Sequence, residues 1–144
     1  MLIYLPALWG RPVWEDPALI SGDGTGGTTL IGAFTHAFLG SYYRPLTSVS
    51  FFIDRHFADN TPYIYHQTSV LLHAATALLI CWLTLLLTKK HLAGVLAGLC
   101  FAVQPAQVGA VAWIGGRTDV LSTFFIVLTA VSYTHLPLPR AHIA

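Results

Sequence analysis

A run of 22 residues without a formal charge, QTSVLLHAATALLICWLTLLLT, occupies Gln67 to Thr88. As an α-helix it would be about 33 Å long, because each residue adds about 1.5 Å. The hydrocarbon core of a bilayer is about 30 Å thick. This run therefore predicts a membrane-spanning helix, and it limits the chain to folds that are built in lipid. The composition agrees, since only 9% of the residues are charged, against about 25% in soluble domains.

Two further segments predict membrane helices after that run. Residues 92–113 carry no formal charge, but Pro105 interrupts them, and a proline kinks or breaks a helix. Residues 118–131 begin a third crossing, which is too short as it stands to span the bilayer. We therefore predict an all-α, polytopic membrane protein fragment with two to three transmembrane helices, at about 66–88, 92–113 and 118–131.

The charged residues predict the orientation. Lys89 and Lys90 form a basic cluster in a short loop, which marks the cytoplasmic side. The first loop, about residues 10–65, then lies on the extracytoplasmic or lumenal side. It holds five of the six acidic residues, and the sixth, Asp119, lies in the outer turn before the third crossing.

Two segments of this outer loop predict amphipathic helices that lie at the membrane interface. Residues 29–40 and 44–57 carry apolar residues at helical spacing. Pro45 stands at the first helical position of the second segment, where proline is favoured. The outer loop is therefore expected to lie along the membrane surface.

Three of the six acidic residues lie within nine positions, in VWEDPALISGDG. Asp16 precedes Pro17, which is typical of an N-cap followed by proline at the first helical position. Capping does not explain Glu15, because adjacent carboxylates repel each other. Two close carboxylates can also raise the pKa of one of them, which suits a general base. Spacing alone leaves both interpretations open.

Arg44 in YYRPL and Arg117 in GGRTD are cations next to apolar helices on the same predicted side. A guanidinium in such a place can bind a phosphate through two parallel hydrogen bonds. The alternatives are an interfacial anchor or an ion pair with Asp119.

Several other classes of site are disfavoured. His66 and His73 are seven residues apart on one helix face, which favours histidines bonded within the helix bundle over a metal site. The stretch SGDGTGGTT lacks the lysine of a phosphate-binding loop and follows no strand. A net charge of +1 provides no basic surface for nucleic acid.

Several strings of the sequence together resemble one family. An acidic pair lies in the first outer loop, SYYRPLTSVSFF precedes a membrane helix that begins YHQTSVLLHAATALL, and LCFAVQPAQVGAVAWIGGRTDVLSTFF follows. Over about residues 5–130, the chain resembles the N-terminal membrane region of C-type glycosyltransferases, in particular the tetratricopeptide-repeat O-mannosyltransferase-like proteins. We therefore interpret residues 1–130 as part of a glycosyltransferase membrane domain.

The resemblance implies transfer of a sugar, with mannose expected, from a polyprenyl-phosphate donor to a hydroxyl of a protein acceptor. It implies that Glu15 and Asp16 form the catalytic pair, with one carboxylate as the base. The departing lipid phosphate needs a cation, and Arg44 and Arg117 are the cations available on that side, so we expect them to bind the donor phosphate. No metal or other cofactor is implied. The remaining candidate residues are supporting ones: Asp119, His66 and Gln104.

Three positions depart from the family's pattern. The acidic pair begins with Glu15, where the family more often has Asp. The family usually shows His-Pro and then a Glu four residues after the proline, and here Gln104 and Gly109 stand at those positions. We expect the parent protein to be a glycosyltransferase and this fragment by itself to be inactive.

Two alternative functions stay open. The first is a non-catalytic membrane protein of the same fold that binds a lipid phosphate or a partner. The second is a transporter fragment, which the proline-broken helix with Gln104 and Gln107 suggests.

The C-terminal stretch SYTHLPLPRAHIA departs from the helical pattern. The string VSYTHL within residues 131–136 resembles one reading frame of a transposon end used in sequencing-library preparation. We expect residues 131–144 not to be native sequence.

Overall fold

The computed structural model describes residues 2–27, 29–58 and 61–135, and its regular elements in these ranges are helices. The all-α prediction is therefore confirmed. A single isolated bridge pairs Phe38 with Tyr42. The α-helices are α1 (Asp16–Ser21), α2 (Leu30–Thr35), α3 (Pro45–Ala58), α4 (Pro62–Thr88), α5 (His91–Val103), α6 (Val108–Ala112) and α7 (Arg117–His135). Short 3₁₀ segments occupy Leu2–Trp9, Asp23–Thr25, Pro105–Gln107 and Ile114–Gly116.

The helices include two that are long and apolar enough to cross a membrane, within the described part of the chain. One is α4, and the other is Ile114–Thr134, most of which is α7. Helix α5 and Pro105–Ala112 meet the same criterion together, but they are bent by 49°. If this bent pair is one span, the count is three. The prediction of two to three membrane-spanning helices is confirmed.

Helix α7 continues to His135, past the predicted end of the third crossing at residue 131. Its polar residues fit into the helix because their hydroxyls bond to the helix's own carbonyls. The Ser132 hydroxyl, for example, donates to the carbonyl of Leu128 at 2.8 Å. The rest of the segment predicted to be non-native, residues 136–144, lies outside the described residues.

Helices α4 and α5 pack closely because glycines face the contact. A Cβ at Gly94 would lie 2.7 Å from the carbonyl oxygen of Cys81, and one at Gly98 would lie 2.9 Å from that of Ala77. Two small residues four positions apart allow helix backbones to approach each other in this way. The close approach therefore depends on the absence of a side chain at both positions.

The outer loop folds over the beginning of α4. Phe51 of α3 stacks on Tyr65 of α4, with ring centroids 5.9 Å apart, and both side chains are buried with Leu19 of α1 and Ile114. Segments that are far apart in the sequence, from α1 to the turn before α7, therefore share one core.

The helix predicted over residues 44–57 is confirmed as α3, which begins at Pro45, and its place at the membrane interface stays a prediction. The helix predicted over residues 29–40 is shorter, because α2 ends at Thr35. The chain leaves the helical conformation at His36, and this turn places Phe38 in the core.

Candidate functional site

Asp16 is buried, and its carboxylate joins the outer loop to the turn before α7. Its Oδ1 accepts a hydrogen bond from the backbone N–H of Gly115 at 3.1 Å, and its Oδ2 accepts one from that of Val13 at 3.0 Å. Asp16 is the first residue of α1, and Glu15 occupies the N-cap position without a capping hydrogen bond from its side chain. The N-cap interpretation of Asp16 is therefore wrong, and the carboxylate fixes the loop to a distant turn.

Glu15 differs from its neighbour in its surroundings. Its side chain is exposed, and its carboxylate has no hydrogen bond or ion pair with the residues that the structure describes. Its backbone carbonyl accepts a hydrogen bond from the N–H of Leu19 at 3.1 Å, which fixes the backbone. The acidic pair thus combines one anchored carboxylate with one that is open to solvent.

Arg117 is fully buried, and its guanidinium binds side-chain and backbone groups of α3 and α4. It forms an ion pair with Asp54 of α3. It also donates from Nη2 to the carbonyl of Tyr65 at 2.6 Å and from Nε to the Ser69 hydroxyl at 3.4 Å. Its Cζ lies 4.4 Å from the centroid of the Phe51 ring. These contacts fix α7 to α3 and α4.

Asp54 is the acid that pairs with Arg117, so the proposed pair with Asp119 is wrong. Asp119 is exposed in the first turn of α7. Burial raises the pKa of the Asp54 carboxyl, whereas the charge of Arg117 and hydrogen bonds from Thr68 and Arg117 act in the opposite direction. To bind a donor phosphate as predicted, the Arg117 guanidinium would have to leave these partners.

Arg44 is only partly buried, just before α3. Its Nη1 donates to the Thr118 hydroxyl at 3.2 Å, which uses one of the five N–H groups of a guanidinium. Its Cζ lies 4.7 Å from the ring centroid of Tyr42 and 5.5 Å from that of Phe38, and such contacts attract a cation. No acidic side chain pairs with it within the described ranges, so its charge is available to an anion.

The turn before α7 brings the acidic pair and this arginine to one end of the molecule. Asp16 binds the turn at Gly115, and Arg44 binds it at Thr118. Three residues of fully extended chain span about 11 Å at most. The distance between Gly115 and Thr118 is shorter than this limit, because Ile114–Gly116 is a 3₁₀ segment and α7 begins at Arg117.

The other candidate residues lie at different places. His66 is buried, and its Nε2 would lie 3.4 Å from a Cβ at Gly10. Neither of its ring nitrogens has a hydrogen-bond partner among the described residues. Gln104 is exposed at the bend after α5, and its backbone carbonyl accepts a hydrogen bond from the Tyr4 hydroxyl at 3.3 Å. His66 thus lies beside Gly10 at the start of the outer loop, whereas Gln104 is bonded to the N-terminal segment.

The position of Gly109 is open. A Cβ there would meet no atom within 4 Å, so a longer side chain fits. Its carbonyl oxygen would lie 2.7 Å from a Cβ at Gly116, which places it beside the turn that Asp16 binds. No group of three or more metal-ligating side chains occurs among the residues that were described.

Comparison with curated proteins gives clear relatives. Human protein O-mannosyl-transferase TMTC2 is 36% identical over 99 residues, which are 69% of this chain. Drosophila melanogaster protein O-mannosyl-transferase Tmtc1 is 31% identical over 150 aligned positions, or 96% of this chain. The chain belongs to the TMTC family of protein O-mannosyl-transferases. The resemblance seen in the sequence is thereby confirmed.

The chain spans 12% of the length of human TMTC2 and 18% of that of Drosophila Tmtc1. Human TMTC3 is 33% identical over 95 residues, which are 64% of this chain and 10% of TMTC3. No family model matches the chain, and no solved structure does. With its apolar helices and these relatives, it is a membrane protein.

Sequence reasoning missed two charged residues that hold the site together. Asp54 is the partner of Arg117, and Arg55 donates to the carbonyls of Leu19 and Ile20 at the end of α1, at 2.9 and 3.0 Å. A signal was present in the sequence, because these adjacent charges lie on an amphipathic helix of a chain that has very few charges. Their partners could not be inferred from that signal.

Proposed function

We propose that this chain is part of a membrane glycosyltransferase that transfers mannose from a polyprenyl-phosphate donor to a hydroxyl group of a protein. The observation that carries this proposal is that Asp16, the neighbour of the exposed Glu15, and Arg44 both bind the same turn. Among the residues that the structure describes, no acidic side chain pairs with Arg44. The names of the TMTC relatives support the transferred sugar and the protein acceptor.

In the proposed reaction, Glu15 is the general base. It takes the proton of the acceptor hydroxyl while the hydroxyl oxygen bonds to the anomeric carbon of the sugar. The bond from that carbon to the phosphate oxygen breaks, and the electron pair leaves with the polyprenyl phosphate. A single displacement of this kind inverts the anomeric centre. The Arg44 guanidinium stabilises the charge on the leaving phosphate.

We assign Asp16 and Arg117 positioning roles in this proposal. Asp16 has both carboxylate oxygens bonded to backbone N–H groups, so it fixes its neighbour Glu15 relative to the turn. Arg117 holds α7, which carries Thr118, against α3, which Arg44 directly precedes. Contact of Arg117 with the phosphate remains a prediction, as do supporting roles for the following residues: His66, Asp119 and Gln104.

We further propose that residues 1–130 form the N-terminal part of the enzyme's membrane domain. The outer loop would lie on the extracytoplasmic or lumenal side, where a lipid-linked donor reaches the acidic pair. The basic residues Lys89 and Lys90 between α4 and α5 support this orientation.

The experiment that tests the function uses the full-length protein in membranes, a mannosyl polyprenyl phosphate and an acceptor protein. Glu15→Gln should lower the transfer rate at least a hundredfold, because a general base contributes about 10²–10⁴. Asp23→Asn is the matched control, since Asp23 is an exposed acid of the same loop, and it should stay within twofold. Transfer by Glu15→Gln at the wild-type rate would refute the assignment.

A non-catalytic protein of the same fold is the second candidate. The observation that favours it is the missing side chain at Gly109, where the resembling family has an acid. The same assay distinguishes the two functions. If the protein is non-catalytic, the wild type will transfer no sugar. Transfer that appeared only in Gly109→Glu would establish this second function.

A further inference from the structure

A groove of about 390 Å³ lies between α3 and α7, next to Arg44. Its volume is within the range of about 300–1,000 Å³ that is usual for ligand sites. At one end it is lined by the hydroxyl residues Thr47 and Thr118. The rest of its lining is mainly apolar: Leu46, Leu121, Phe125 and Ile126. The groove therefore has a polar mouth, at Thr47 and Thr118, and an apolar body.

The mouth has several features that attract an anion. Thr47 and Thr118 lie in the first turns of two helices, α3 and α7, and their hydroxyl oxygens are 3.5 Å apart. Helix N-termini carry partial positive charge and unpaired backbone N–H groups. The Arg44 guanidinium binds Thr118 at the same place. The exposed acid Asp119 follows Thr118 and is the opposing charge in this region.

The body of the groove runs along a helix that can span a membrane. Thr118 and Ile126 are eight residues apart, which is about 12 Å along α7. Both residues lie within the apolar stretch Ile114–Thr134. The groove thus leads from the hydroxyl residues at its mouth along a helix that is apolar enough to span a membrane.

We propose that this groove binds the donor lipid, with the phosphate at Arg44, Thr47 and Thr118 and the first isoprene units along Leu121 and Phe125. This inference rests on the proposed function and adds the path of the lipid tail. The complementary charge at the mouth selects a lipid phosphate, and the apolar walls favour a hydrocarbon chain over a water-soluble sugar phosphate.

A second groove of about 360 Å³ lies between α4 and α5. Its lining residues are apolar or small, among them Ala77, Cys81, Val95 and Leu99. It offers no charged group, so nothing in its lining selects a phosphate. It supplies a matched control, because a plug of the same size can be placed in either groove.

The test measures binding of a long-chain polyprenyl phosphate to the full-length protein in phosphatidylcholine nanodiscs. Leu121→Trp plugs the groove between α3 and α7 and should weaken binding at least tenfold. Leu99→Trp plugs the other groove and should change binding less than twofold. Phe125→Ala removes part of the apolar lining without adding bulk and should weaken binding at least threefold. It gives a second readout in case Leu121→Trp does not fold. A diazirine on the second isoprene unit should label α7.

Each contrary outcome has a distinct meaning. Binding that falls in Arg44→Gln but not in Leu121→Trp or Phe125→Ala would place the tail elsewhere and overturn the inference, while the proposed function stands. Equal competition by phosphatidic acid would show a general phospholipid site and also overturn it. Labelling of α5 instead of α7 by the diazirine would also overturn the inference. If the groove variants behave as expected but the wild type transfers no sugar, the proposed function fails and the lipid site remains.

Discussion

The ion pair between Arg117 and Asp54 allows a sharp test of how this outer region is held together. The two side chains are 0% and 6% exposed. Asp54→Asn keeps the size of the side chain and an oxygen that can accept the hydrogen bond from Thr68, but it removes the negative charge. Arg117 then stays buried without a counter-charge.

The expected loss in the free energy of unfolding follows from that burial. Removing one partner of a buried pair costs about 3–5 kcal/mol, because an uncompensated charge remains inside. We expect about 3 kcal/mol, the lower end, since Arg117 retains its hydrogen bonds to Tyr65 and Ser69 and its contact with Phe51. Asp119→Asn is the matched control, because Asp119 is exposed. It should cost less than about 1 kcal/mol.

The assay is reversible unfolding in mixed detergent micelles, followed by tryptophan fluorescence and helical circular dichroism. A double-mutant cycle of Asp54→Leu and Arg117→Met adds a second readout. The double variant should be more stable than either single variant, because apolar residues of similar volume replace a buried pair at little cost. A loss in Asp54→Asn no larger than in Asp119→Asn, together with additive effects in the cycle, would refute the reasoning.

Four further substitutions can be tested by unfolding, by limited proteolysis or by sugar transfer. Gly98→Ala should destabilise by about 1–3 kcal/mol, because its Cβ meets the backbone of α4. Gly109→Ala should instead stabilise by about 0.5–1 kcal/mol, because its site is open and alanine favours a helix; equal effects would contradict the packing argument. Arg55→Ala should cost about 2 kcal/mol, because it removes charged hydrogen bonds to the end of α1, and should speed limited proteolysis of that loop; an unchanged cleavage rate would contradict it. Gly109→Glu should raise sugar transfer by the full-length protein, and an unchanged rate would show that the carboxylate has no role.

Much of the fold could be predicted from the sequence because it depends on local chemistry. A long run without charges must be a helix in lipid, where backbone groups can bond only within the segment. Pro45 predicted the beginning of α3, and Pro105 predicted the break after α5. The helical spacing over residues 29–40 was misleading. Helix α2 ends at Thr35, and the turn that follows it places Phe38 in the core.

The candidate site was predictable only in part. The acidic pair and Arg44 stood out because such residues are rare in an apolar chain, and the resemblance supplied their roles. The sequence could not separate Glu15 from Asp16, since the difference lies in a hydrogen bond to a residue 99 positions away. Nor could it show that Asp54 pairs with Arg117, whereas Arg44 has no acidic partner within the described ranges.

The sequence by itself determined the solvent, the helical class and the family of this protein, because charge content, run length and short motifs are local properties. Only the tertiary structure decided which charges meet. Asp54 and Arg117 are 63 positions apart, and sequence spacing predicts ion pairs only between helical neighbours three or four residues apart. The partner of a buried charge depends on which helices pack together, so it became visible only when α3, α4 and α7 were in place.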